Sequence, residues 1–522
     1  MPKPISFGKL DFKVIASMEE FKGLPDPEMP FRILIIGDFS GRENRGLSES
    51  KDPPAGRLPF EIDRDNLDEV IAKLSPEIKL SLNDKDSFSV TVGFKELDDF
   101  HPDRLYERLE IFQAFREIRG ILDNPRTFED AAKVIRIRTR LEPEPTNAIQ
   151  TEKQKSPKPE SNTFGTSDLL DEIIEASDGR AKEARPSSDT AEWSAFLRKI
   201  VKPHLVPNDD PQQAELKAKV DTASAGLMAT VLHHPDFQAI EAAWRAVHFL
   251  VSGIETDTHL RLYLLDISRA ELAADLASTE DLRLTATYKF LVEQTVATFG
   301  GEPWAVLAGN YIFDHSRKDA ELLGRMAKIA KKAGAPFIAG AHSHLVGCES
   351  LAENPEPNDW KRHIDAEDAR AWEALRRLPE ASYLGLVLPR FLLRLPYGAD
   401  TDPIEYFEFE EMPDSPTHSH YLWGNPAYAC VLLLAQGFSK YGWGLRPGII
   451  QDIDGLPMYI CQEDGETRIK PCAEVLLTER TAEIVLEKGL MPLLSFKDQD
   501  KVRLARFQSL ADPLTHLAGR WS

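Results

Sequence analysis

The chain has 522 residues, with 63 Lys and Arg against 85 Asp and Glu and a formal net charge of −22. That length exceeds one ordinary hydrophobic core and asks for two to four domains at roughly 100–200 residues each, while the acidic surplus serves solubility and disfavours nucleic acid or anionic membrane as a partner. The four cysteines (Cys348, Cys430, Cys461, Cys472) form no C-x-x-C pair, and the longest apolar run, Ala427 to Ala435, falls short of the roughly 18–20 residues of a membrane span, so disulfide frameworks, zinc ribbons and membrane insertion are disfavoured.

The N-terminus, Met1-Pro-Lys-Pro-Ile-Ser, lacks the apolar run of a signal peptide, and a soluble protein of a reducing cytoplasm is expected. From Ile5 to Ile15, Ile5, Phe7, Leu10, Phe12 and Val14 alternate with other residues, and the phase slips at Gly8; this predicts an N-terminal strand with a kink or bulge. Phe31 to Ile36, closed by Gly37-Asp38, reads as a buried strand, and Ser87 to Phe94 alternates again. Beyond Pro102, the spacing of Leu105, Leu109, Phe112, Phe115, Ile118 and Leu122 predicts one helix with the proline at its start.

Residues 141 to 165 hold four prolines, several charges and little to bury, which predicts a disordered linker. As a flexible coil it spans on the order of 25–30 Å, enough for two folded halves to dock side by side. Then comes an isolated acidic–apolar segment, 166 to 176, which as a helix aligns Leu169, Leu170, Ile173 and Ile174 in one stripe. So short a helix must dock on something, either the large half of its own chain or a partner's groove.

The remainder alternates helices and strands, as in a layered α/β region. Pro235 to Leu250 predicts a helix burying Phe237, Ile240, Trp244 and Val247, followed by a strand from Leu260 to Ile267. Further strands are expected at Trp304 to Tyr311, Pro336 to Ala341 and Tyr383 to Leu388, with a helix near Glu321 to Lys332. Tyr428 to Gln436 is apolar on every side, so periodicity leaves helix or strand open.

Catalytic motifs are lacking: there is no G-x-x-x-x-G-K-[ST], H-E-x-x-H or G-x-S-x-G, and Gly442 to Gly448 has the wrong spacing for a dinucleotide loop. His342, His344 and Cys348, or His418 and His420, offer metal-ligand types, but nothing in the sequence makes them converge, and they read as polar residues at strand ends. No catalytic, cofactor or metal residue is assigned. His233-His234 ahead of Pro235 reads as a helix cap. Asp38 could hold a metal or act in catalysis, or could pair with Arg42 or accept backbone hydrogen bonds in a tight turn. Arg390 and Arg394 sit among large apolar residues, where each needs a carboxylate partner within its domain or across a structural interface.

Two sets of ordered motifs carry a resemblance. Pro30 to Arg42, Phe60 to Val70 and Phe94 to Asp103 resemble the small subunit of the type VI secretion contractile sheath, over roughly residues 5 to 135. Val231 to Arg245, Trp304 to Tyr311, Ala335 to Ala339, Leu386 to Gly398 and Trp443-Gly444 resemble its large subunit. The resemblance implies a multi-domain layered α/β sheath-protein fold with an N-terminal exchanged strand. It divides the chain into a small-subunit-like domain (1–140), a linker with the short helix (141–190) and a large-subunit-like α/β region (191–522).

The function it implies is that of a non-enzymatic protomer of a bacterial cytoplasmic sheath. Such protomers self-associate into rings or a helical tube around an inner-tube protein, meet a baseplate, and contract to propel the inner tube. Leu169, Leu170, Ile173 and Ile174 lie where an AAA+ recycling unfoldase grips the family's large subunit. Ile5, Phe7, Leu10, Phe12 and Val14 lie where strands are exchanged between protomers. Two departures stand out: the subunits are joined, raising their mutual effective concentration toward the millimolar range, and the sequence ends at Trp521-Ser522, where large subunits usually continue. The second suggests short stacks rather than long tubes, or a sheath-like cap, starter or baseplate-proximal accessory. A metal-dependent hydrolase using Asp38 or His342 and His344 is the remaining alternative.

Overall fold

The computed structural model describes residues 5–10, 25–47, 56–82, 89–123, 213–413, 416–463 and 466–521. The expected linker, the stripe Leu169, Leu170, Ile173 and Ile174, and Phe12 and Val14 lie outside the described residues.

The N-terminal part supplies strands β1 (Phe31–Gly37) and β2 (Phe60–Ile62), helix α1 (Leu67–Leu74), the hairpin β3 (Glu77–Ser81) and β4 (Ser89–Gly93), and helices α2 (Pro102–Arg108) and α3 (Gln113–Asp123). The C-terminal part opens with helices α4 (Gln213–Leu232) and α5 (Pro235–Gly253). It continues through β5 (Leu260–Asp266), α6 (Arg269–Ala277), β6 (Val306–Phe313), α7 (Arg317–Ala333), β7 (Phe337–Ala341), α8 (Ala366–Arg376) and β8 (Leu384–Leu388). Then follow the two-residue strands β9 (Phe391–Leu392) and β10 (Trp423–Gly424), α9 (Ala427–Tyr441), β11 (Asp452–Ile453), the hairpin β12 (Tyr459–Glu463) and β13 (Glu466–Lys470), α10 (Glu479–Glu487), β14 (Met491–Ser495) and β15 (Val502–Leu504).

Nine strands form one mixed sheet in the order β11-β15-β14-β8-β7-β6-β1-β5-β2. From β14 to β5 all neighbours are parallel; β2 and β15 join antiparallel at either side, and β11 pairs antiparallel with β15. Helices cover both faces, which explains the unbroken apolar runs of the central strands. In β1, Phe31, Ile33 and Ile35 enter one core with α5 and α9, while Leu34 and Ile36 enter the other with α6 and α7. The segment that periodicity left open, Tyr428 to Gln436, is part of α9, buried on nearly every side because it lies against both the sheet and α5.

The single helix expected beyond Pro102 is corrected to two. Pro102 opens α2 with His101 as its cap, but Leu109 is extended (φ −76°, ψ 132°) and α3 begins four residues later. The apolar spacing runs on through the break because both pieces face one core. Arg116 donates to the carbonyl of Tyr106 and, at 3.3 Å, to that of Leu109, which also accepts the Phe112 N–H at 3.1 Å. The strands expected at 87–94, 260–267, 304–311, 336–341 and 383–388 are present as β4, β5, β6, β7 and β8, with β6 displaced two residues toward the C-terminus.

Candidate functional site

A chain without catalytic motifs calls attention to how its halves are joined. β1 lies between β5 and β6, seven residues in register with β5 (Phe31 opposite Leu260 through Gly37 opposite Asp266) and four with β6. Side chains fasten both ends of the strand. Phe31 stacks on Phe438 at 4.6 Å and meets Trp443 at 5.3 Å, while Trp443 Nε1 donates to Met29 O at 2.7 Å. At the other end Trp244, fully buried on α5, donates Nε1 to Phe39 O at 2.9 Å. Farther out, Phe94 and Phe100 stack at 4.0 Å and both pack edge-on against Phe237 of α5 at 5.9 Å.

Past β1 the chain turns sharply at Gly41 (φ +76°), where a Cβ would lie 2.3 Å from Glu77 O, so only glycine fits. Asp38 stabilises this turn by accepting the N–H groups of Arg42 and Glu43, each at 2.8 Å. The Arg42 side chain passes Asp38 by and forks onto Glu271 of α6 at 3.0–3.1 Å, where Arg57 joins it at 2.6 Å. Burial works against the Glu271 charge, but hydrogen bonds from Arg57, Arg42 and the Ser268 N–H hold its carboxyl at about 2. Beside it Asp266 accepts Phe39 N at 2.8 Å and Ser40 Oγ at 2.7 Å, and burial pushes its pKa up. Arg42, Arg57 and Ser40 come from one half; Glu271 and Asp266 come from the other.

A second ion cluster lies inside the C-terminal half. Arg394 bonds Glu241 of α5 at 2.7 Å and Glu411 at 2.7 Å, and these three side chains are 9%, 0% and 2% exposed. Arg245 adds a bond to Glu241 at 2.6 Å, one helical turn away. Burial opposes the Arg394 charge, yet the two carboxylates hold its pKa well above the ordinary arginine value, and Arg394 in turn holds Glu411 down at about 2. Arg390 is paired with Glu474 at 2.6 Å, and His418 Nε2 shares that carboxylate at 2.7 Å. Burial opposes the Glu474 charge as well; the His418 bond and the Arg390 guanidinium hold it at about 2. Both arginines therefore find their carboxylates within the chain.

Of the N-terminal segment, Ile5, Phe7 and Leu10 pack on the core beside α6 and α7. Instead of a regular strand, Ile5–Leu10 makes a single parallel bridge, Lys9 with Asp281, through Lys9 N to Glu280 O (2.6 Å) and Leu282 N to Lys9 O (3.1 Å). Phe7 sits on Gly324 of α7, where a Cβ would lie 2.2 Å from its ring. The expected kink is present at Gly8 (φ +68°).

Among the histidines, His234 caps α5 by accepting Asp236 N at 3.2 Å. His418 bonds Glu474, and His420 Nδ1 accepts Thr417 N at 2.9 Å, so that pair is spent on local structure. His342 and His344 do meet, but with Asp314 in place of Cys348, which is buried and directed at Asn354 O. Sequence reading missed Asp266, Glu271, Glu241, Glu411, Glu474 and Asp314. Two local signals were available: the Ser268-x-x-Glu271 capping box and the Glu241/Arg245 spacing of one helical turn. Partners from remote segments leave no such mark.

Comparison with known proteins agrees with this two-part construction. Residues 214–511 match the VipB family, described as "EvpB/VC_A0108, tail sheath N-terminal domain", and residues 19–141 match "Type VI secretion system, VipA, VC_A0107 or Hcp2". The type VI secretion system sheath protein TssC1 of Pseudomonas aeruginosa is 34% identical over 361 residues, covering 68% of this chain and 72% of the relative. The chain therefore belongs to the type VI secretion tail sheath family, with the VipA-like and VipB-like regions carried on one polypeptide.

Proposed function

We propose that this chain is a ready-made protomer of a contractile type VI secretion sheath, polymerising around an inner tube and contracting to propel it, with a mechanical rather than enzymatic role. The observation that carries this reading is the placement of β1 at the centre of the sheet, between β5 and β6. A subunit that transmits load between neighbours needs its parts to move as one body, and a central strand shared between regions couples them through a ladder of main-chain hydrogen bonds. Stacked aromatics at the start of β1 and a buried ion cluster beyond its end reinforce that coupling.

Negative-stain microscopy of the purified chain, alone and with an inner-tube protein, tests the reading. Rings or tubes are expected in at least one condition; monomers in both would overturn it. Assembly is proposed to take place in the bacterial cytoplasm, with a baseplate as the site of attachment; among the described residues no helix is long and apolar enough to cross a membrane. The stripe Leu169, Leu170, Ile173 and Ile174 is proposed as the grip for an AAA+ recycling unfoldase. Changing Leu170→Asp with Ile174→Asp is expected to abolish binding of that unfoldase in a pull-down without altering the melting temperature. Undiminished binding would remove the assignment.

A further inference from the structure

The carboxyl edge of the sheet carries a group of side chains that neither the joint nor the buried ion cluster uses. Phe313 of β6 is in register with Ala341 of β7, so Asp314 and His342, the next residues, leave the sheet side by side. The 3-10 turn Ser343–Val346 then brings His344 back over them, with the two imidazole centroids 3.8 Å apart. His344 Nδ1 is 2.7 Å from Asp314 Oδ2, and its Nε2 is 3.1 Å from Glu349 Oε2. Ligand atoms of Asp314, His342 and His344 all lie within 4.8 Å of one another. The three residues are half-buried, and the Glu349 side chain, 64% exposed, stands at the outer side. In open parallel sheets, ligands bind outside the carboxyl ends of strands, where loops converge.

We propose that Asp314, His342 and His344 form a binding site for a divalent transition metal of the zinc class, with Glu349 at its mouth holding the other ring nitrogen of His344. Two imidazoles and a carboxylate suit zinc, cobalt or nickel, whereas calcium and magnesium take oxygen ligands. Tetrahedral bonds of about 2.0–2.1 Å place ligand atoms roughly 3.4 Å apart, so a metal parts Asp314 Oδ2 and His344 Nδ1 from their present 2.7 Å and closes separations that now reach up to 4.8 Å. The His344 N–H points at His342 Nδ1 from 3.2 Å, so that nitrogen carries a lone pair, for which a cation competes with the N–H. His315 Nδ1 is hydrogen-bonded to the other Asp314 oxygen, the kind of outer contact that fixes a metal-bound carboxylate. Bound metal clamps the turn after β7 to the end of β6. Because the Asp314 N–H bonds Asp319 Oδ2 at 2.7 Å, the clamp extends to the first turn of α7.

Calorimetric titration of the full chain with Zn2+, and of visible absorption with Co2+, tests the site. One equivalent should bind, with Co2+ developing the intense visible bands of a low-coordinate site. Asp314→Asn and His342→Gln should each weaken this binding about tenfold or more, while His248→Gln, an exposed histidine elsewhere, should leave it unchanged. A variant-free measurement guards against misfolding: Zn2+ should protect His342 and His344 from carbethoxylation by diethyl pyrocarbonate while His248 stays reactive, read by peptide mass spectrometry. Absence of stoichiometric binding, or equal modification of His342 and His344 with and without Zn2+, overturns the proposal.

Discussion

Arg394 shows how strongly one side chain can commit this fold. Removing the guanidinium leaves Glu411, which water barely reaches, without its arginine and leaves Glu241 with Arg245 alone, and breaking a buried pair in this way costs about 3–5 kcal/mol. Arg394→Met should therefore lower the melting temperature by many degrees. The double change Arg394→Met and Glu411→Gln, which keeps the Glu241–Arg245 pair, should recover much of the loss, which differential scanning calorimetry can measure. The same carboxylates govern acid sensitivity. Glu271, Glu411 and Glu474 have folded pKa values of about 2 against an ordinary 4.5. A depressed folded pKa stabilises above the unfolded value and loses its contribution as the pH falls toward the folded one. Their contribution should therefore be complete above about pH 4.5 and be lost between there and pH 2, and Glu271→Gln should make that acid decline shallower. That Arg394 requires an acidic partner can be read from its apolar neighbours in the sequence, but Glu241 lies 153 residues away and nothing local points to it.

At the scale of elements, α7 and the N-terminal segment depend on each other through Gly324. Gly324→Ala places a methyl group where the Phe7 ring lies, yet alanine favours the helix itself by roughly 0.5–1 kcal/mol. The expected result is an N-terminal segment released from an intact core. Amide exchange at Lys9 and Leu282, which share the bridge, should rise sharply while β1 stays protected; unchanged protection would mean that Phe7 repacks in place. Elements whose signal is local were legible in the sequence. β1 announces itself by a run of β-branched and aromatic residues ending in Gly-Asp, and α5 by Pro235 with Phe237, Ile240, Trp244 and Val247 on one face. The break at Leu109 was not legible, because a helix and its continuation that bury the same side keep one apolar period. The joint was legible as two family resemblances, but the position of β1 inside the other region's sheet was not, since strand order depends on contacts more than 200 residues apart.

On the scale of the whole molecule, the 1–140 and 191–522 regions should prove inseparable without denaturant. Cleavage at a protease site inserted within 141–165 should leave both fragments co-eluting in size-exclusion chromatography, since parting them exposes both faces of β1 and strips β5 and β6 of their neighbour. Independent elution would refute the shared core. Placing β1 between β5 and β6 also sets an order of events during synthesis. β1 leaves the ribosome first, yet its partners begin roughly 230 residues later, a delay of ~10–45 s at ordinary elongation rates. Throughout that interval a strand made almost entirely of buried residues has neither neighbour. Such non-local pairing slows folding and lengthens exposure to aggregation. Carrying both regions on one chain turns the search for β1 into an intramolecular one, so the gain from fusion is largely kinetic: the central strand is retained beside the ribosome until the sheet that will enclose it has been made.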